Sequence, residues 1–282
     1  MYRKIEEYLK NYFSSKEEKI LVIDGARQVG KTYIIEKIGK EYYPNFISIN
    51  LDADNKGDKV FEDVKTCDDF YIQLSALYGN KLNTRDDTLI FIDEISIYPQ
   101  FFSLLKQLRI DNKYRYICSG SLLGIELLKT GLTPMGSIIR KEMYPMDFEE
   151  FLIANNFGKD AIEHVRQSYE NKTSLNESLH NTLLNYFLTY LYVGGLPDAV
   201  KSYVEEKNVF KIKEIQKDIY DFYSDDAAKY DLENRLKIKR IYEMMISSID
   251  NKVKRIKYSD INDNKKDCFA NYVEEFDYLI NS

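Results

Sequence analysis

The stretch that decides the fold reads Gly25-Ala26-Arg27-Gln28-Val29-Gly30-Lys31-Thr32. It matches G-x-x-x-x-G-K-[ST], the pattern of a loop that wraps phosphate groups. An apolar run at 20–23 precedes it and a segment of helical character at 33–38 follows it, which is the context that the pattern requires. Glycines let the backbone turn so that several N–H groups face one anion, and the N-terminal end of the next helix adds positive potential. The sequence therefore predicts a phosphate-binding loop at residues 25–32.

Two side chains of this loop have predicted chemical roles. Lys31 is expected to reach the β- and γ-phosphates of a nucleotide, and Thr32 to offer its hydroxyl to Mg²⁺. The alternative is a glycine-containing turn that fits the pattern by chance. The strand before the loop and the helix after it favour the phosphate loop.

A second signal is the apolar run at 89–92, which ends in Asp93 and Glu94. A short all-apolar run is typical of a central parallel strand, and open α/β sheets bind ligands at the carboxyl ends of such strands. Asp93 is predicted to hold the Mg²⁺ shell, directly or through water, and Glu94 to polarise an attacking water. Either carboxylate alone would equally suit a helix N-cap or a solvated charge.

A third signal is the segment 114–121, which reads as a strand ending in small hydroxyl residues. The Ser119 hydroxyl is placed to touch a γ-phosphate or the attacking water. A Ser-Gly turn with Ser121 as a helix cap is the alternative interpretation. The other two signals favour the functional interpretation of Ser119.

Composition limits the classes of protein that the chain can represent. It has 282 residues, 44% hydrophobic and 30% charged, which suits a packed core of one large or two ordinary domains. A net charge of −6 argues against general affinity for nucleic acid. No apolar run approaches the length of a membrane span, and residues 1–7 lack the apolar core of a signal peptide. The three cysteines are scattered, so neither a disulfide framework nor a zinc site is expected and a cytoplasmic location is the default.

The spacing of apolar residues predicts an α/β segment followed by a helical segment in the same chain. Strands are expected at 20–23, 46–51, 89–94, 114–121 and 138–144, and helices at 3–13, 33–40 and 101–109. Residues 52–58 have the composition of a polar turn, and two weakly helical pieces precede Tyr78. Asp147 is expected to cap a helix at 148–152. Residues 159–250 read as helical with one interruption at 194–198, and 269–280 place apolar residues on one helical face.

Taken together, these motifs resemble a family of AAA+-type P-loop ATPases with a C-terminal region called DUF4143. The resemblance rests on GARQVGKT at 25–32, IFIDEI at 90–95, CSGS at 118–121, YPMDFEEFL at 144–152 and GGLPDAV at 194–200. Residues 241–261 are similar to the start of the family's winged-helix segment. The resemblance implies a P-loop ATPase core at 1–155, a helical lid at 156–230 and a partial winged-helix region at 231–282.

The resemblance also assigns residues to roles. It implies ATP as the nucleotide, phosphate binding by residues 25–32, Mg²⁺ binding by Thr32 and Asp93, water activation by Glu94 and γ-phosphate sensing by Ser119. Many relatives carry a basic residue where this chain has Ser137, and the nearest arginine is Arg140, so the resemblance assigns no trans-acting arginine. Relatives commonly continue into a nuclease-like domain, which we expect this chain to lack.

The expected function is Mg²⁺-dependent ATP hydrolysis used as a conformational switch or motor, in a chain that forms a homo-oligomer. The alternative is an ATP-gated module with little turnover that binds nucleic acid or protein. A small-molecule kinase is a weaker third hypothesis, because adjacent Asp93 and Glu94 suit water activation better. The guanine-binding pattern N-K-x-D occurs at 55–58 and 264–267, but neither copy follows an apolar strand in the required place.

One segment suggests contact with DNA. Residues 235–257 contain eight basic and two acidic residues, on an otherwise acidic chain. Contact through this segment would be weak, sequence-tolerant and salt-dependent, because phosphate neutralisation would supply most of it. A solvated lysine-rich helix face is the competing interpretation.

Overall fold

The computed structural model describes residues 1–15, 17–121, 136–227, 235–247, 258, 261 and 268–281. Contacts divide the chain into two units, Met1–Lys207 and Asn208–Ser282. The division into a core, a helical lid and a winged-helix region, with boundaries at 155 and 230, stays a prediction. The predicted lid at 156–230 contains residues of both units.

A parallel sheet forms the centre of the first unit. Its strands in the described residues are β1 (Ile20–Asp24), β2 (Asn45–Asn50), β3 (Thr88–Asp93), β4 (Arg115–Gly120) and β5 (Ile138–Glu142), in the order β2-β3-β4-β1-β5. Strands β1, β3 and β4 are buried along their whole length, as apolar central strands of a parallel sheet should be. Because all strands run the same way, their carboxyl ends lie along one edge of the sheet.

Helices cover both faces of this sheet. In the described residues, the helices of the first unit are α1 (Ile5–Ser14), α2 (Lys31–Tyr42), α3 (Leu51–Lys56), α4 (Cys67–Tyr78), α5 (Gln100–Asp111), α6 (Phe148–Ala154), α7 (Lys159–Glu170), α8 (Glu177–Val193) and α9 (Pro197–Glu206). One core joins α1 and α2 to the sheet through residues such as Leu9, Ile35 and Ile23. The other joins α4 and α5 to it through Phe70 and Phe101. The predicted α/β P-loop fold is confirmed.

The segment between β2 and α4 corrects two sequence predictions. Residues 52–58, expected as a polar turn, instead contain α3. The Asn50 side chain caps this helix by accepting the Ala53 N–H at 2.8 Å, and Leu51 at its start is fully buried. Of the two helical pieces expected before Tyr78, only α4 forms. The chain ahead of it turns because the Asp54 carboxylate accepts the N–H groups of the residues at 60 and 61.

The stretches 144–152 and 194–200 meet through their backbones. Asp147 begins α6 with a capping box, as predicted. Just ahead of it, the Met146 N–H donates to the Gly195 carbonyl at 2.7 Å, and the Tyr190 hydroxyl donates to the Met146 carbonyl at 2.8 Å. A Cβ on Gly195 would lie 2.2 Å from the Met146 oxygen. Glycine is therefore required where these stretches join. Besides the predicted interruption at 194–198, non-helical residues also separate α7 from α8 and follow α9.

The second unit contains α10 (Val209–Ala227), α11 (Arg235–Ser247), a short 3₁₀ turn (Phe269–Asn271) and α12 (Val273–Asn281). Tyr220 of α10 stacks on Tyr242 of α11, with ring centroids 5.4 Å apart. Buried Tyr272 joins the apolar cluster between α11 and α12, but Val273, expected on the same face, is exposed.

The predicted DNA segment falls only partly on described residues. Lys237 pairs with the buried Glu275 carboxylate at 3.4 Å, and the Arg240 guanidinium donates to the Ile261 carbonyl at 2.7 Å. Lys237 and Arg240 therefore both contact residues of the second unit. The other basic residues of the segment at 252–257 lie outside the described residues. None of the helices in the described part of the chain is long and apolar enough to cross a membrane.

The contact at Gly195 generates a stability prediction. Gly195→Ala should lower the free energy of unfolding by about 1–3 kcal/mol, because the added methyl group meets a backbone oxygen that cannot move aside easily. Gly79→Ala is the matched control, since its Cβ would meet nothing within 4 Å and its backbone is right-handed helical. The control should be neutral or slightly stabilising. Urea unfolding measures both variants, and an unchanged stability of Gly195→Ala would contradict the contact.

Candidate functional site

The loop that joins β1 to α2 depends on its first glycine. Gly25 has φ 146°, and a Cβ there would lie 2.2 Å from the Met143 carbonyl oxygen. The chain that follows β5 is bound at the same place, since the Met143 N–H donates to the Asp24 carbonyl at 2.7 Å. Gly30, which ends the loop, has φ 94°. Both glycines hold backbone conformations that other residues rarely adopt.

Within the described residues, the start of α2 has no side-chain cap. Its N-cap is Gly30, which has no side chain, and no acidic residue lies in its first turn. Helices α3, α4, α6 and α8 have side-chain caps, whereas α1, α5, α7 and α9, like α2, have none. The first N–H groups of a helix have no partner within the helix, and the helix dipole adds positive potential there. This end of α2 therefore suits an anion such as a phosphate.

The Lys31 side chain lies inside the curve of the loop. Its ammonium group donates to the carbonyls of Gly25 and Ala26 at 2.7 and 2.9 Å, and the residue is 5% exposed. Burial lowers the pKa of Lys31, while the carboxylates of Glu94 and Asp93 oppose this change. A cation thus lies between the phosphate loop and two acidic side chains.

Asp93 ends β3 as a buried carboxylate surrounded by hydrogen-bond donors. Its Oδ2 accepts from the Thr32 hydroxyl at 2.9 Å and from the Asn50 amide at 3.1 Å, and its Oδ1 accepts from the Ser119 hydroxyl. These donors come from α2, β2 and β4. Burial raises the pKa of Asp93, and the hydrogen bonds from Ser119 and Thr32 oppose that rise.

Glu94 turns away from the strand that it follows. Its backbone is left-handed, with φ 54° and ψ 51°, a conformation that costs a non-glycine residue about 1–3 kcal/mol. Its Oε2 accepts from the Ser121 hydroxyl at 2.9 Å and from the Ser121 N–H at 3.3 Å. Ser121 is held in turn, because the Ser96 hydroxyl donates to its carbonyl at 3.1 Å. Glu94 is only partly buried.

The structure brings the predicted residues Lys31, Thr32, Asp93 and Glu94 to one edge of the sheet. Ser119 is there too, but it is fully buried and its hydroxyl donates to Asp93. Arg140 lies on β5, where its guanidinium pairs with the Asp24 carboxylate.

Sequence reasoning missed three contributors to this site. Asn50 also ends a strand, so the rule that pointed to Asp93 would have found it. Asp24, buried at the end of β1, could have been found in the same way. Arg3 contacts the loop through the Val29 carbonyl, and no pattern in the sequence marks it.

The oxygen donors of this site are of the kind that Mg²⁺ prefers. Among the described residues, no group of three or more His, Cys, Asp or Glu side chains could hold a metal ion. Mg²⁺ usually takes only one or two protein ligands beside waters and phosphate oxygens, and it prefers hard oxygen donors. The Thr32 hydroxyl and the Asp93 carboxylate are such donors, and they lie in contact.

Comparison with protein families supports an AAA-type P-loop family. Residues 17–152 match a family model described as "AAA domain", and this match supports a nucleotide-binding function of the ATPase type. Residues 184–282 match a model described as "Domain of unknown function (DUF8612)". The C-terminal match is therefore to a different family from the expected DUF4143 region.

Three solved structures are similar to the chain at low sequence identity. The chain is 12% identical to DnaA from Aquifex aeolicus, bound to AMPPCP, over 98% of this chain and 85% of that one, with a TM-score of 0.38. It is 16% identical to Hsp104 in a closed state with ATPγS and casein, over 71% and 35% of the two chains, with a TM-score of 0.42. It is 13% identical to the ADP complex of S. cerevisiae Hsp104, over 99% and 39%, with a TM-score of 0.44. The matched region thus spans little more than a third of either Hsp104 chain. No curated protein sequence matches the chain.

The burial of Asp93 generates a prediction about pH. Since the pKa of Asp93 is raised by folding, ionising it costs stability, and this cost appears as the pH rises above the unfolded value of about 3.9. Asp93→Asn removes the titration and keeps the shape. Relative to wild type, its free energy of unfolding should therefore increase between pH 4.5 and 7.5.

Asp147→Asn is the control with the opposite sign. Burial opposes ionisation of Asp147, but the Lys4 ammonium and the Glu150 N–H lower its pKa below the usual value. This variant should lose stability relative to wild type as the pH rises toward and through the unfolded value of about 3.9, and its difference from wild type should be nearly constant above that range. Urea unfolding at several pH values measures both, and a stability difference for Asp93→Asn that stays flat or falls with pH would contradict the description of the site.

Proposed function

We propose that the protein binds ATP through residues 25–32 and hydrolyses its γ-phosphate in a Mg²⁺-dependent reaction. One observation carries the proposal. The Thr32 hydroxyl meets the Asp93 carboxylate at 2.9 Å, beside the buried Lys31 cation and the uncapped start of α2. Groups that suit a phosphate ligand, its metal ion and the attacking water all lie at the carboxyl edge of the sheet.

Phosphate binding comes from backbone and cation together. The N–H groups at the start of α2 donate to phosphate oxygens, and the Lys31 ammonium exchanges the carbonyls of Gly25 and Ala26 for phosphate oxygens with a full negative charge. Hydrogen bonds between charged partners are about twice as strong as neutral ones, which favours this exchange. Thr32 and Asp93 would hold Mg²⁺, which when bound neutralises charge on the phosphate oxygens.

Hydrolysis follows from the position of Glu94. A water oxygen forms a bond to the γ-phosphorus while the bond from that phosphorus to the β,γ-bridging oxygen breaks. The water proton goes to the Glu94 carboxylate, and ADP and inorganic phosphate leave. Ser121 holds one Glu94 oxygen with its hydroxyl and its N–H, which orients the other oxygen toward a water. Positioning of this kind supplies much of the catalysis in phosphoryl transfer.

Steady-state phosphate release separates hydrolysis from nucleotide-gated binding. The proposal expects release that depends on both ATP and Mg²⁺. Tight binding of Mg-ATP without release would leave the gated module as the function. Assembly into a homo-oligomer and weak DNA contact through 235–257 stay predictions, and a mass measurement with and without DNA tests both.

Lys31→Ala tests the binding site. The variant should bind Mg-ATP at least 100-fold more weakly, or not at all, because it loses the side-chain cation predicted to face the β- and γ-phosphates. Lys40→Ala, an exposed lysine near the other end of α2 that pairs with Glu36, is the control and should bind normally. Calorimetry measures both. Wild-type affinity in Lys31→Ala would remove the loop as the phosphate site.

Glu94→Gln separates binding from chemistry. The variant keeps the shape and the hydrogen bond from Ser121 but loses the base. It should bind Mg-ATP with nearly wild-type affinity and release phosphate about 100-fold more slowly, or slower still. Normal turnover would mean that another group activates the water.

A further inference from the structure

Arg3 ties the phosphate loop to two distant segments of the first unit. It lies just ahead of α1 and is 7% exposed. Its Nη1 donates to the Val29 carbonyl at 2.7 Å, its Nη2 to the Tyr144 carbonyl at 2.6 Å and its Nε to the Glu150 carboxylate at 3.2 Å. One planar guanidinium therefore holds a loop carbonyl, the chain after β5 and the first turn of α6.

The contact with Val29 fixes the peptide that joins Val29 to Gly30. The peptides of the described chain are trans, so the C=O and the N–H of this unit point in opposite directions. Because Arg3 holds the Val29 oxygen, the Gly30 N–H points away from Arg3. Glycine itself does little to fix this orientation, since it has no Cβ and populates both signs of φ.

Glu150 fixes Arg3 in turn. The same carboxylate accepts the Lys4 N–H at 2.6 Å and the Asp147 N–H at 3.2 Å. It is therefore held both by the backbone next to Arg3 and by the backbone just ahead of α6. It is 5% exposed, and each buried charge of the pair has several partners. A buried pair with its hydrogen bonds satisfied keeps one geometry, whereas removing one partner alone leaves a costly buried charge.

We propose that Arg3 is a positioning residue of the phosphate loop, which aims the Gly30 N–H at bound phosphate by holding the Val29 carbonyl. This inference rests on the proposed function for the identity of the ligand. It adds a residue outside the loop, at the start of the chain, whose effect on phosphate binding passes through a single peptide unit.

The test uses a charge-balanced variant and a matched control. Arg3→Met/Glu150→Gln removes both buried charges together and keeps the volume of each side chain. Arg115→Met is the control, because Arg115 is also buried and donates to the carbonyls of Glu17 and Ser15 at 2.6 and 3.2 Å. Arg115 begins β4 and so lies at the opposite edge of the sheet. Arg3→Lys, which keeps a charge for Glu150 but loses the planar fork, replaces the double variant if that variant does not fold.

The first measurement is ¹⁵N relaxation of the Gly30 amide in the ligand-free protein. Its order parameter should fall from about 0.85 in wild type to below about 0.6 in the double variant, and stay unchanged in Arg115→Met. A folded double variant with an unchanged Gly30 order parameter would overturn the proposal. Because it needs no nucleotide, this measurement decides the role of Arg3 even if the proposed function fails.

The second measurement is calorimetry with Mg-ATP. The double variant should bind Mg-ATP about tenfold more weakly. This loss of affinity corresponds to one charge-assisted hydrogen bond, the one from the Arg3 guanidinium to the Val29 carbonyl. Arg115→Met should bind as wild type does, even where its thermal stability falls as much. Equal affinity in the double variant and wild type overturns the proposal, whereas absence of binding by wild type overturns the proposed function instead.

Discussion

A carboxylate buried at the edge of a parallel sheet needs hydrogen-bond donors around it, and the arrangement of this protein's site depends on how Asp93 meets that need. Its donors are Thr32, Asn50 and Ser119, which come from the helix after the loop and from the strands on either side of β3. The same contacts that stabilise the carboxylate therefore place the loop helix against the sheet. Burial raises the pKa of Asp93, so the site retains a group whose ionisation disfavours folding. Retention of such a group is typical of functional sites.

The loop is held from outside as well as by its own glycines. At its start, the Met143 carbonyl leaves no room for a side chain at Gly25. At its end, Arg3 holds the Val29 carbonyl and is itself anchored on Glu150. The segment after β5 thus supports both ends of the loop, directly at the first and through Arg3 at the second. That segment also reaches the 194–200 stretch through Met146, so the phosphate loop is connected to the helices α8 and α9 by hydrogen bonds of the first unit.

The sequence predicted those parts of the fold and site that depend on local pattern. Apolar runs mark the buried strands, the glycine pattern marks the loop, and polar residues at strand ends mark one edge of the sheet. The structure brings Lys31 and Asp93 to that edge, and their chemical roles stay predictions. Helix α3 was missed because it depends on a buried Leu51 and a cap that its polar composition conceals. Arg3 was missed because its partners lie 26 to 147 residues away along the chain, and such pairings leave no trace in spacing. The role of Ser119 stays a prediction, since its hydroxyl donates to Asp93.

The most direct test of the central claim is a crystal structure of the protein with Mg²⁺ and a non-hydrolysable ATP analogue. The account predicts that the phosphates lie at the start of α2, with the Lys31 ammonium moved from the carbonyls of Gly25 and Ala26 to phosphate oxygens. It also predicts the metal ion beside Thr32 and Asp93. A nucleotide bound elsewhere, with Lys31 still donating to those carbonyls, would contradict the assignment of this edge of the sheet as the nucleotide site.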